Sequence, residues 1–280
     1  PDYPECKHKG DDNTSRERWL LSEEVPGVSD GTWSCPHESV SGYDKCVFHL
    51  PVADRPSDID ATEAFLEAVA AAADLDTRTQ RRRQVQFIDA EFESFDIAGE
   101  RLETGASNYI NLAHATIPDA NFGGTIIDAP IRFPHARFTG ESNFLDAQFN
   151  GLVGLRGTIF SGTARFKGAT FNRPISAKHA RFEEAAYFWH TVFKRHAIFY
   201  HVDFEGYAYF RGVDFDNYVR FSEAHFHDEA WFELGEFGDD ADFIETRFEG
   251  PHSFVAAEFE RTTNFSEVIA AGEMDLTDTH

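Results

Sequence analysis

Apolar residues recur every five positions from Phe87 onward: Phe87, Phe92, Ile97 and Leu102, then Leu112, Ile117, Phe122 and Ile127, with Ser107 as a weak slot. After Ile127 the spacing alternates between five and six, a strict repeat of eleven. One series runs from Phe133 through Phe144, Leu155, Phe166 and Ala177 to Phe265; the other runs from Phe138 through Phe149 and Phe160 to Phe259. Together they place 23 Phe in 25 slots. Neither a helical period nor simple strand alternation fits this pattern, and repetition so regular predicts a stacked solenoid.

A second register stands two residues before each slot, where the residue is small or β-branched: Ala136, Ala147, Val153, Thr158, Ala164, Ala169 and onward to Ala230. Residues i and i−2 point the same way along an extended segment. Each short face therefore turns one large and one small side chain inward. Ala177 interrupts the ladder, so either Ile175 fills that layer or a void remains there.

The strings ANFGG at 120–124, ARFTG at 136–140 and ATFNR at 169–173 resemble the pentapeptide-repeat family, whose consensus is Ala-(Asp/Asn)-(Leu/Phe)-X-X. The resemblance covers roughly two thirds of the chain. It implies an all-β solenoid, a right-handed quadrilateral β-helix. Strict fives imply about 20 residues per coil and the elevens about 22, for roughly eight coils and a rod of about 40 Å at the strand spacing of ~4.8 Å. The family also implies a non-enzymatic binding role. Some members resemble B-form DNA in size and charge and bind type II topoisomerases.

Ahead of the repeat, residues 1–56 are rich in Gly, Pro, Ser, Asp, His and Cys with no sustained hydrophobic period. They read as a loop-rich Cys/His module with too little apolar surface to fold on a core alone. Residues 57–84 read as a capping helix and a polar linker that holds Arg81, Arg82 and Arg83. Ser57, Asp58 or Asp60 would cap the helix, and Phe65, Leu66, Val69 and Ala73 would form its apolar stripe. The helix should cover the open first coil of a β-helix spanning 85–270. Residues 271–280 read as a C-terminal tail.

Charge changes the picture less than its size suggests. The formal net charge is −24, and only 6 of the 25 basic residues are Lys. This acidic, lysine-poor composition resembles that of halophilic archaeal proteins. At molar salt the Debye length is about 3 Å, so such charge steers little over distance. Mimicry of DNA toward an enzyme such as a type II topoisomerase is the alternative, and direct nucleic-acid binding is disfavoured by the charge. No apolar stretch is long enough to span a bilayer, and no signal peptide is visible, so a cytoplasmic protein is expected.

Candidate chemistry is sparse. Cys6, Cys35, Cys46 and His49, with His8 and His37 nearby, form a Cys₃His set suited to a structural zinc ion, and the Cys-x₂-His spacing at 46–49 suits half of a site. A metal-dependent role for this cluster is a further alternative. Gly27 to Gly31 spells G-x-S-x-G, but no strand-to-helix context surrounds Ser29, and a turn is expected. P-loop, zincin and dinucleotide fingerprints are absent. His179, His190 and His201 fall eleven apart, which puts the first and third on one side and His190 on another. The same arithmetic gathers Arg165, Tyr187, Tyr209 and Trp231 on one outer face, flanked by Lys167, Trp189 and Arg211. Exposed Tyr, Trp and Arg of this kind serve protein interfaces. A protein partner is expected, and a homo-oligomer is compatible with the strip.

Overall fold

The computed structural model describes residues 28–29, 32–33, 35–75, 77, 80, 84–105 and 108–280. Cys6, His8, Ser107 and Arg81 to Arg83 lie outside these residues.

From Gln86 onward the chain winds into coils of four two-residue strands, which stack in parallel into four sheets of eight, nine, eight and eight strands. The first face carries Ile110–Asn111, Ile131–Arg132 and their successors to Thr263–Asn264; the second runs from Thr116–Ile117 to Ile269–Ala270. The third runs from Phe95–Asp96 to Met274–Asp275 and the fourth from Arg101–Leu102 to Glu258–Phe259. This is a β-solenoid of about eight turns. Parallel pairing keeps each residue over its repeat mate: Phe138 pairs with Phe160, and Phe160 with Phe182, 22 residues apart.

The interior consists of four aromatic columns. On the third face Phe144, Phe166, Phe188 and Phe210 stack with centroids 4.5, 4.8 and 4.6 Å apart and interplanar angles of 1–2°. Columns on neighbouring faces meet edge to face, as Phe182 meets Phe188 at 6.1 Å and 80°. The small residues of the second register, from Ala136 to Ala230, are buried beside them. Buried Thr residues in that register also donate to a carbonyl near the coil below: Thr158 Oγ1 to Phe133 O and Thr191 Oγ1 to Phe166 O, each 2.7 Å. At the break in the ladder Ile175 and Ala177 are both buried, the larger side chain standing two residues before the slot.

Three expectations change. The first coil is longer than strict fives imply: Gln86 lies against Asn111 and Leu102 pairs with Ile127, 25 residues on. The next coil has 21, since Ile110 pairs with Ile131 and Asn111 with Arg132, and the spacing of 22 begins with Ala120 and Ser142. The excess lies between Leu102 and Leu112, where Asn108 and Thr104 bond each other across a local loop. The helix, α1, spans Ala61–Asp74 and starts at Asp60, whose Oδ1 accepts from Thr62 N at 2.6 Å and Glu63 N at 3.0 Å. Its buried stripe is Phe65, Ala68, Val69 and Ala72; Leu66 is half-buried and Ala73 is exposed. Finally, residues 271–280 continue the winding: Met274 pairs with His252, and His280 N–H donates to Ala257 O at 3.0 Å.

The left-handed backbone positions were not visible in the hydrophobic pattern. Every eleven residues one residue takes positive φ, among them His135, Asp146, Gly157, Gly168, His179, His190 and His201. Each such turn swings the chain from one face to the next. At Gly157 a Cβ would meet the His135 ring at 2.6 Å, so a larger residue there would displace that ring.

Candidate functional site

Two groups of side chains stand out, one at the N-terminal edge and one on the third face. At the edge, residues 46–50 form a tight turn, with Leu50 N–H donating to Cys46 O at 2.9 Å. This turn brings His49 Nδ1 within 3.0 Å of Cys46 Sγ. Cys35 Sγ lies 3.5 Å from Cys46 Sγ, too far for a disulfide between them. His37 N–H points to Cys35 Sγ at 3.5 Å. All three donors are buried and lie within 4.8 Å of one another. His49 Nε2 donates to Ile88 O at 2.8 Å, which leaves Nδ1 as the lone-pair nitrogen facing the sulfurs. This is a Cys/His group able to hold a metal ion. Cys6, the other expected ligand, lies outside the described residues.

His37 is not part of that group. Its Nε2 donates to Gln86 O at 2.9 Å, and its ring stacks on Phe87 at 5.0 Å and 17°. His37 and His49 thus tie the Cys/His segment to carbonyls of the first coil. Glu91 N–H adds a bond to Phe48 O at 2.9 Å, and Arg55 bonds Leu50 O and pairs with Glu93 at 2.7 Å. The segment and α1 together cover the end of the rod, where Phe65 meets Phe87 at 4.7 Å and Phe95 at 5.0 Å. The hydrophobic pattern pointed only to α1 for this work.

On the third face Arg165, Tyr187, Tyr209 and Trp231 stand on consecutive strands in direct register. Tyr187 and Tyr209 stack at 5.0 Å and 3°. Trp189, 37% exposed, sets its edge against both rings at 5.6 and 5.8 Å. Tyr207 adds a ring at the corner, 6.0 Å from Tyr209. Trp231 Nε1 donates to Glu229 at 3.0 Å, Arg165 bonds Glu141, and Arg211 lies 3.7 Å from Glu233. Partial burial and the neighbouring Tyr187 and Glu229 raise the Tyr209 hydroxyl above its ordinary range, so it is a neutral donor at physiological pH. Asn143, Leu145, Arg165, Lys167, Tyr187 and Trp189 enclose a shallow hollow of about 290 Å³.

The His179 and His201 rings lie 4.9 Å apart, tilted by 53°, and His190 sits in the other left-handed column beneath Gly212. Burial, His201, Arg156 and Lys178 depress the His179 pKa, which leaves it neutral near pH 7. Sequence reasoning missed a second hollow of about 740 Å³ on the first face, where Gly154 and Ser176 stand in one ladder above Arg132 and the lining includes Arg156, Lys178 and Tyr218. Counting by 22 along the outward positions would have found it. Val28–Ser29 pairs antiparallel with Thr32–Trp33, which places Ser29 on a short antiparallel strand; Gly27, Asp30 and Gly31 lie outside the described residues.

A sequence profile described as Pentapeptide repeats (9 copies) matches residues 155–203 and 188–233. Among solved structures, the chain is similar to HetL, a pentapeptide repeat protein involved in heterocyst differentiation regulation from the cyanobacterium Nostoc sp. strain PCC 7120. That match has 12% identity and a TM-score of 0.26, and it covers 69% of this chain and 85% of HetL. No curated protein matches the chain.

Proposed function

This chain is a pentapeptide-repeat protein, and from that premise we propose that it is a non-enzymatic scaffold whose rigid rod presents the third face to a protein partner. The observation that carries this reading is the in-register strip of Tyr187, Tyr209 and Trp231 with Trp189 beside it. Rings held against one another lose little further entropy on binding, and exposed aromatic and Arg side chains supply most of the energy of protein interfaces. Arg165, Lys167 and Arg211 border the rings, so the favoured partner surface is apolar with acidic edges.

The test replaces Tyr209 and Trp231 together with Ser. Both are outward, so the rod should keep its far-ultraviolet circular dichroism and melting temperature. Self-association by light scattering, or retention of co-purifying protein in a quantitative pull-down, should fall at least tenfold. Unchanged association with an intact rod would remove the strip from any binding role.

The Cys/His group supports a second, structural element of the same reading. We assign Cys35, Cys46 and His49 to a structural zinc ion, with Cys6 as the candidate fourth ligand. Zinc there would pin the loop-rich segment onto the first coil through His49 and Ile88.

A further inference from the structure

We propose that the second face carries a separate binding site for a divalent transition-metal ion of the zinc, cobalt or nickel class, held by Asp203, His225 and His227 with Glu249 adjoining. The pattern that builds it is His225-x-His227, flanked one coil below by Asp203 and one coil above by Glu249. Asp203 and His225 are ladder partners on adjacent strands, so their side chains emerge one above the other. His225 and His227 straddle the inward Phe226 and therefore emerge on the same outer side of the coil. Glu249 follows Phe248, the residue that pairs with Phe226, which sets it over His227.

The side chains lean toward one point. His227 Nε2 lies 2.7 Å from Asp203 Oδ1, and His225 Nε2 lies 2.8 Å from Glu249 Oε1. His227 Nδ1 is 3.5 Å from the second Glu249 oxygen. One ligand atom from each of Asp203, His225 and His227 falls within 4.8 Å of the others. The two imidazole centroids are only 3.7 Å apart, close enough for one ion to reach a nitrogen of each ring. Two imidazoles with carboxylate oxygen suit borderline metals and do not suit calcium or magnesium, which take oxygen alone. Asp203 and His225 stand on paired strands, and the His227 and Glu249 N–H groups donate to Phe204 O and Phe226 O at 2.9 Å, so little backbone ordering is required on binding.

The site is also open. The His225 and His227 side chains are 28% and 35% exposed. Asp203 and His225 line a hollow of about 500 Å³ whose other walls include Glu223, Glu245 and Arg247. A three-ligand ion beside such a hollow keeps a coordination position for water or an incoming ligand atom. Nothing here involves the Cys/His group, which lies on the first coil.

Calorimetric titration of zinc chloride into the full chain tests the assignment, comparing wild type with His225→Ala, His227→Ala, Asp203→Asn and, as a control for the other group, Cys46→Ser. The expected result is one equivalent that persists in Cys46→Ser and whose affinity falls more than about 100-fold in either His variant, beyond the 10–100-fold loss typical of an outer-shell change. Cobalt bound at this site should show visible d–d absorption without a thiolate charge-transfer band. Circular dichroism verifies that each outward variant keeps its fold. The proposal is overturned if the His variants retain the equivalent, if it vanishes only in Cys46→Ser, or if wild type takes up no ion at this site because the imidazoles serve only as partners of the two carboxylates.

Discussion

Each inward Phe is held by neighbours above, below and to the side. Phe204 is fully buried between Phe182 at 5.0 Å and Phe226 at 4.8 Å. Replacing it with Ala removes the ring and leaves a layer that its ladder-bound neighbours cannot fill. Phe204→Ala should cost about 3–5 kcal/mol in denaturant unfolding; a loss below about 1 kcal/mol would contradict its place in the column. A second residue-scale effect is electrostatic. Burial, reinforced by the charge and hydrogen bond of Asp216, lifts the Asp214 carboxyl from 3.8 to about 6, while Lys194 partly offsets the rise. The folded state thus binds this proton more tightly than the unfolded chain does. The stabilisation is complete below the unfolded value near pH 4 and is lost as pH rises through about 6. Wild type should lose stability relative to Asp214→Asn between pH 4 and 6, as followed by urea unfolding across that range; parallel pH profiles would show that the carboxyl is not perturbed.

At the scale of elements, the N-terminal end is where local sequence and tertiary contact diverge most. Asp60, Phe65 and the alanine-rich run were legible as a capped helix because helix propensity and N-capping act within a few residues. The docking of the Cys/His segment was not legible, because its partners Gln86 and Ile88 are 49 and 39 residues away from His37 and His49 and are backbone carbonyls that carry no side-chain signature. Elemental mass spectrometry of the purified chain should find about one zinc more than in Cys46→Ser, and loss of that ion should lower the melting temperature by exposing the first coil. Equal zinc in both proteins would dissociate Cys46 from metal binding.

For the whole molecule, stability is close to a sum of coil terms and the interfaces between them. Substitutions on one face should therefore leave distant coils intact, which is what makes the outward strip and the His225–His227 pair separable by mutation. The charge acts on the whole rod at once. With a net charge of −24, self-repulsion opposes the compact state at low salt. Raising the ionic strength from 0.1 to 1 M shortens the Debye length from about 10 to about 3 Å and should raise the melting temperature steadily. A flat salt profile would point to charges already neutralised by local pairs such as Lys194–Asp216 at 2.9 Å.

The eleven-residue period by itself determined the solenoid, the inward residues and which outward residues share a face, because a coil of constant length converts sequence spacing directly into position. The order of Arg165, Tyr187, Tyr209 and Trp231 along one sheet follows from counting alone. What only the tertiary structure decided lies where that constancy fails or where contact depends on side-chain direction. The 25-residue first coil could not be read from five-residue spacing, since its extra loop carries no apolar marker. The burial of Ile175 together with Ala177 depended on packing between neighbouring layers. The approach of Asp203 to His227, and of His225 to Glu249, depended on how far side chains on adjacent strands lean across the ladder, a distance that spacing along the chain does not specify.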